Sequence, residues 1–398
     1  MSASIHLSWS QKITRWLSIL VSSLLSLVLL QGLMSWLGSI QLQLRFSGHS
    51  GVAGWIVYLL LFVVFVLGIA VHEAGHWLGG RWAGFRSYAV VVLWFYLERK
   101  GMRWHFRVGA KPAKLWGFVQ AMPLEFENYR QRQALFVAAG PGINLLTGSL
   151  ALGLGWWWQP HVHLLVQPSL TVFWLCQSLL AFGAWSLMLG LTNLLPSSPR
   201  TDGSHLLALL RNGPGWRRQS ALIRLISSTQ QGTRPRDWDP ELLRHTLACP
   251  DQSATECTIQ LYAYAHALDR KDLEPAMLHL NQAIALRHLT QPAFQQHLCC
   301  EAAYCAAVLA NEPENAERWL HHAERVQPLS EKAGAFARAS VAYAQQDYAT
   351  ATGLLHHCFI ELDETDSAGA KAQGLERLLE LQQLIQSQQH VIKAVPTT

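Results

Sequence analysis

Along this chain the charges come in blocks, and long apolar runs fill the gaps between them. Residues 16–44 contain no Asp, Glu, Lys or Arg, and neither do residues 46–71 or the 67 residues from Gln133 to Pro199. A helix crosses the bilayer core with about 20 apolar residues. The runs therefore predict four spans, at about 16–39, 51–72, 134–158 and 170–195. The last run is split in two because QPHVHLLVQPS, 159–169, carries prolines and histidines suited to a turn. The alternative is four buried helices of a soluble protein, but soluble cores rarely need charge-free stretches this long. Lys12 and Arg15 precede the first run as they would in a signal peptide. That run is too long for one and no small-x-small cleavage site follows, so it reads as an uncleaved anchor.

Between the second and third runs the pattern changes. Residues 86–124 are rich in Val, Phe, Tyr and Trp, punctuated by Gly101, Gly109 and Pro112. This predicts short β-strands joined by turns. Strands so apolar must be covered by protein or lie at the membrane interface. They are either a small structural sheet or an edge that can pair with an extended peptide.

From Trp216 the composition turns to a soluble, helical pattern, and SSTQQGTRPRDWDP, 227–240, looks like a linker. A weak repeat follows. Ala276, Leu280 and Ala283 form one stripe, Ala316, Leu320 and Ala323 a second, and Ala351, Leu355 and Cys358 a third. Each places small residues and a leucine on one helix face. The sets are 40 and 35 residues apart. This resembles tetratricopeptide repeats, with a period of about 34, although the Trp-Leu-Gly positions of the first helix match poorly; an unrelated helical bundle is the alternative. The expected fold is thus mainly α. A polytopic membrane domain at 1–212 holds a β-hairpin insert at about 86–124; a linker follows at 213–245 and a soluble helical domain at 246–398.

Charge adds orientation. Nine Lys or Arg residues lie between Arg81 and Arg130, whereas the loop at 159–169 has none and that at 40–50 only Arg45. By the positive-inside rule the N-terminus, the middle loop and the C-terminal region face the cytoplasm, which suits an integral protein of a bacterial inner membrane. The net charge of +5 is then mostly topology and carries no argument for nucleic acid. The seven cysteines include no CxxC pair, so neither a cysteine zinc site nor, in a reducing compartment, disulfides are expected.

The candidate chemistry is VHEAGHWLGG, 71–80, at the end of the second run. On a helix His72 and His76 share a face and can bind one metal, with Glu73 beside them as a base for a bound water. Ionisable residues at membrane depth are expensive and functional by default. Zinc suits two imidazoles and needs a third protein ligand. Asp202, in TNLLPSSPRTDGSHLL, is the only carboxylate after Glu127 in the membrane region, and His205 is its rival. Pro196 and Pro199 should break the fourth span there, and irregular backbone at such depth belongs around a wet cavity or packed protein.

HEAGH at the end of a span, with Asn193-x-x-Pro196 and Asp202-Gly203 on a later one, resembles the site-2 protease family of intramembrane zinc metalloproteases. AAGPGINLL, 138–146, is similar to that family's Gly-Pro-x-x-Asn segment, and LWGFVQAM, 115–122, to its membrane-associated hairpin. The resemblance covers about residues 50–212. It implies one zinc per chain held by His72, His76 and Asp202, Glu73 as catalytic base, and Asn144 and Asn193 as supports for the substrate backbone or the oxyanion. Helix–helix hydrogen bonding is the alternative role for the two asparagines. Asn193 and Asp202 are nine residues apart where the family usually has eight, Thr201 precedes the Asp-Gly pair, and Ser204 stands at a frequent glycine; the extra residue falls in a segment of prolines and serines that a loop can absorb. The implied function is endoproteolysis of a membrane-spanning or membrane-associated protein, with the helical repeats binding a peptide or protein. An inactive protease-like scaffold presenting those repeats is the alternative. A transporter is disfavoured by the few spans and the lack of an inverted repeat.

Overall fold

The computed structural model describes residues 53–100, 103–110, 115–164, 170–198, 200–329, 334–363 and 367–394, with scattered positions between 13 and 36. The described residues fall into two compact units, divided between Gly213 and Pro214. The protein is mainly helical with one small antiparallel sheet.

In the N-terminal unit three helices are long and apolar enough to cross a membrane: α1 (Ala53–Trp82), α2 (Tyr129–Leu164) and α3 (Leu170–Leu194). The span expected at 16–39 falls partly outside the described residues. Where its positions are described they are helical, and Trp36 donates its indole N–H to Gln177 on α3 at 2.7 Å. The start of the turn expected from residue 159 is helical instead, α2 continuing through Pro160 to Leu164; a proline near a helix end forfeits one hydrogen bond that neighbouring turns can absorb. The break expected before Pro196 is present, with α3 ending at Leu194 and irregular chain leading to α4 (Asp202–Arg211).

The aromatic insert forms four strands: β1 (Phe85–Val92), β2 (Phe95–Lys100), β3 (Arg103–Val108) and β4 (Gly117–Pro123), in the order β3-β2-β1-β4. β1 alternates buried and half-buried positions, as a strand covered on one face should. The tight β1–β2 turn holds Leu93 in the left-handed region (φ 53°), a strained conformation for a side chain with a Cβ. Burial of Leu93 against Ile69 and Leu189 offsets that strain.

The C-terminal unit holds α5 (Pro214–Gln230), α6 (Pro240–Leu247), α7 (Ala254–Asp269), α8 (Leu273–Leu286), α9 (Pro292–Tyr304), α10 (Pro313–Val326), α11 (Ala335–Ala344), α12 (Tyr348–Asp363) and α13 (Ala368–Ala394). Successive helices pack in pairs, α7 on α8, α9 on α10 and α11 on α12. The small-residue stripes lie inside: Ala276, Leu280 and Ala283 are buried, as are Ala316, Ala323, Ala351, Leu355 and Cys358. The segment expected as a linker, 213–245, is instead mostly helix, because Leu222 and Leu225 supply an apolar face and Arg218 is buried in an ion pair with Glu256.

Candidate metal centre

Close helix packing builds this site. On α1, Gly75 and Gly79 lie one turn apart and face α2. A methyl on Gly75 would come 2.6 Å from the Ala139 carbonyl, and one on Gly79 would come 2.3 Å from the Ala139 side chain. Small residues let helix backbones meet at this range. On α2, Gly140 returns the contact: a methyl there would stand 2.3 Å from His76 Nε2. His76 can therefore lie flat on α2, and its Nδ1 donates to the Phe136 carbonyl at 2.9 Å.

That bond decides which nitrogen His76 offers. With Nδ1 carrying the proton, Nε2 is left as a lone pair. It faces His72 Nε2 at 3.2 Å. Two imidazole lone pairs at that distance repel unless a proton or a cation lies between them. Asp202 closes the group, with Oδ2 3.1 Å from His72 Nε2 and Oδ1 3.4 Å from His76 Nε2. A tetrahedral centre with bonds of about 2.0–2.1 Å has edges of roughly 3.3 Å, so these separations fit a single ion. The three side chains form the group that could hold a metal among the described residues, their ligand atoms all lying within 4.8 Å of one another.

Asp202 reaches the histidines because α4 starts on it. Gly203 sits against the end of α3, where a methyl would come 1.9 Å from the Leu194 carbonyl. Thr201 ties the preceding turn down by donating to the Leu195 carbonyl at 2.8 Å. Burial by itself would raise the Asp202 carboxyl; with the His72 and His76 rings protonated, their contacts override it and hold the group at about 2. Its position in the first turn of α4 also favours the anion. His205 is exposed and stands outside the group.

Glu73 is buried, 5 % exposed, and its Oε2 has no hydrogen-bond partner. Gly117, the first residue of β4, leaves room for it; a methyl there would be 2.5 Å from Glu73 Oε1. Asn144 is fully buried with its amide 3.4 Å from His72 Nδ1, and its Oδ1 is unpartnered. Turned over, the amide would present Oδ1 to His72 Nδ1–H. That leaves His72 Nε2 free for the metal, the arrangement metal-binding histidines adopt. In that orientation Asn144 would hold the His72 ring. Asn193 is half-buried in the last turn of α3, and no hydrogen bond joins it to the three ligands.

Gly140, Phe136 and Gly117 shape the site without being evident from spacing. The signals in the sequence were the Gly-Pro-Gly run at 140–142 and the LWGFVQAM stretch around Gly117. No family model matches this chain, and neither does any curated protein or solved structure.

Proposed function

We propose that this protein is an intramembrane zinc endopeptidase of the site-2 protease type, acting on a membrane-spanning or membrane-associated protein. One observation carries the reading. Two histidines, a carboxylate and an unpartnered buried glutamate converge at the end of a helix apolar enough to cross a membrane. Hydrolysis of a soluble substrate would not need that setting. A peptide bond in or near the bilayer does.

His72, His76 and Asp202 would hold the zinc, one per chain, which supplies a Lewis acid and brings the pKa of bound water toward neutrality. Glu73 is the base: buried and without a partner, it takes the proton of the attacking water and returns it to the leaving amine. Asn144 keeps His72 in the ligating tautomer. Asn193 is left to meet the substrate backbone. A substrate helix must unwind first, because helical carbonyls are engaged in their own hydrogen bonds.

The setting supports the same reading. Exposed Trp156 and Trp157 on α2 fit an interfacial aromatic belt. Trp157 is seventeen residues beyond Gly140, or about 25 Å along a helix at 1.5 Å per residue. A hydrocarbon core of about 30 Å puts the metal ligands near the opposite face, which the Lys and Arg distribution makes cytoplasmic. The proposal extends to a bacterial inner membrane with both termini inside, and to tetratricopeptide-like pairs in the C-terminal unit that bind a peptide or protein.

The test compares membrane and cytosolic proteomes of cells carrying wild-type protein or Glu73→Gln. A single-span protein that accumulates uncut in the variant supports the protease and names its substrate. Identical proteomes with both proteins expressed overturn it in favour of an inactive scaffold.

A further inference from the structure

The C-terminal unit contains a second polar site, unrelated to the metal ligands. The lining of a cleft of about 350 Å³ includes Arg287, His288, Gln295, Cys299, His322 and Arg325. Four of these six can carry positive charge and none is a carboxylate. Three elements bring them together: the 3₁₀ turn Arg287–Leu289, one face of α9 through Gln295 and Cys299, and the last turns of α10 through His322 and Arg325. Both latter pairs lie three or four residues apart, so each shares a helix face.

Like charges drawn together repel unless an anion joins them. Acidic side chains are near in sequence but engaged elsewhere. Glu317 and Glu324 on α10 face His321, at 3.9 and 3.6 Å, and Glu324 also pairs with Arg338 at 3.5 Å. Among the described residues no carboxylate pairs with Arg287, His288, His322 or Arg325. The cations are also partly ordered in advance. Arg287 lies 5.8 Å from the Trp319 ring and donates Nη1 to the Ile284 carbonyl at 2.9 Å, which leaves its remaining donors unspent. The same Trp319 ring packs on His322, 5.6 Å between centroids. The Gln295 amide is fixed by donation to the Thr290 carbonyl at 2.8 Å. Cys299, fully buried, forms the floor.

We propose that this cleft binds a phosphomonoester. A carboxylate offers one unit of charge and suits a single guanidinium fork. A phosphomonoester offers about −1.5 to −2 and three acceptor oxygens, which matches two guanidinium groups that each bind bidentately with two imidazoles beside them. The volume falls in the range of small-ligand pockets and exceeds what the phosphoryl group itself fills, so the ester carries a body. That body is either a small molecule or a phosphorylated side chain of a protein.

Titration calorimetry on the full-length protein in detergent tests this with inorganic phosphate, phenyl phosphate and a short phosphoserine peptide. Saturable one-to-one binding of at least one of the two esters is expected, weakened at least tenfold by Arg325→Gln. Arg325 is exposed, so the variant should melt as the wild type does; Arg287→Gln is the second variant, from the opposite wall. Tighter binding of the peptide than of phenyl phosphate assigns the ligand to a phosphorylated protein, and the reverse order to a free ester. No saturable binding of any probe, or affinities unchanged in both variants, overturns the proposal.

Discussion

Each unit buries a cluster of ionisable side chains, and the clusters are built oppositely. In the N-terminal unit His72, Glu73, His76 and Asp202 converge without an arginine or lysine to neutralise them, and Glu73 Oε2 and Asn144 Oδ1 lack partners. In the C-terminal unit Arg377 reaches Glu301 through two nitrogens, at 2.9 and 3.3 Å, and Tyr264 donates to the same carboxylate at 2.7 Å. The Arg377 guanidinium also lies 4.1 Å from the Tyr304 ring and 5.0 Å from Phe336. Only its Nε is unpartnered. One cluster has no cation among the described residues to complete it, and the other supplies its own. Incompleteness marks a site prepared for something else, while satisfaction marks a structural tie.

Changes to the incomplete cluster should therefore alter binding, and changes to the satisfied one should alter stability. The largest effect is expected from Gly140→Ala, whose methyl would occupy the space of His76 Nε2. Zinc measured by plasma emission on purified protein should fall to background, whereas Gly142→Ala, with open space around it, should retain one zinc per chain. Equal zinc in both variants would break the packing account of the site. Next comes Glu301→Gln, which strands the Arg377 charge and should destabilise the C-terminal unit by about 3–5 kcal/mol. Zinc content should not change, and replacing the pair together by Leu and Met should recover much of the loss in a thermal melt. Asn144→Ala should weaken zinc affinity about 10–100-fold, as loss of a partner behind a ligating histidine does, with little change in melting. A competition titration against a chelator reads it.

The smallest effect is the pH dependence of the C-terminal unit. Burial would raise the Glu301 carboxyl, but the Arg377 guanidinium, helped by His297 and the Tyr264 hydroxyl, overrides it and holds the group below its usual range. Its folded value is thus depressed relative to the unfolded chain. The stabilisation is full above about pH 4.3, the unfolded carboxyl value, and is lost as pH falls through the folded value. Melting of the wild type should drop on acidification over that window, and Glu301→Gln should flatten the drop.

Much of the metal group was legible because its signals are local. His72 and His76 stand one helical turn apart, and Asp202 was the only carboxylate after Glu127 in the membrane region. The strands at 85–123 were legible from aromatic and β-branched residues between turn formers. Two local rules misled. Pro160 predicted a turn, yet α2 runs past it, and polar, turn-forming residues suggested a linker where α5 packs its apolar face. At α5 tertiary contact, which buries Leu222 and Leu225, outweighed local propensity.

By itself the sequence determined which segments are apolar enough to cross a membrane, where strands replace helices, and that His72 and His76 can share a metal, because each follows from the period of one helix or strand. The tertiary structure decided that Gly140 admits His76, that the Phe136 carbonyl selects its tautomer, and that Arg377 meets Glu301 across 76 residues of chain. Those facts depend on how closely separate helices approach, and a contact between residues far apart along the chain leaves no period in the sequence to read.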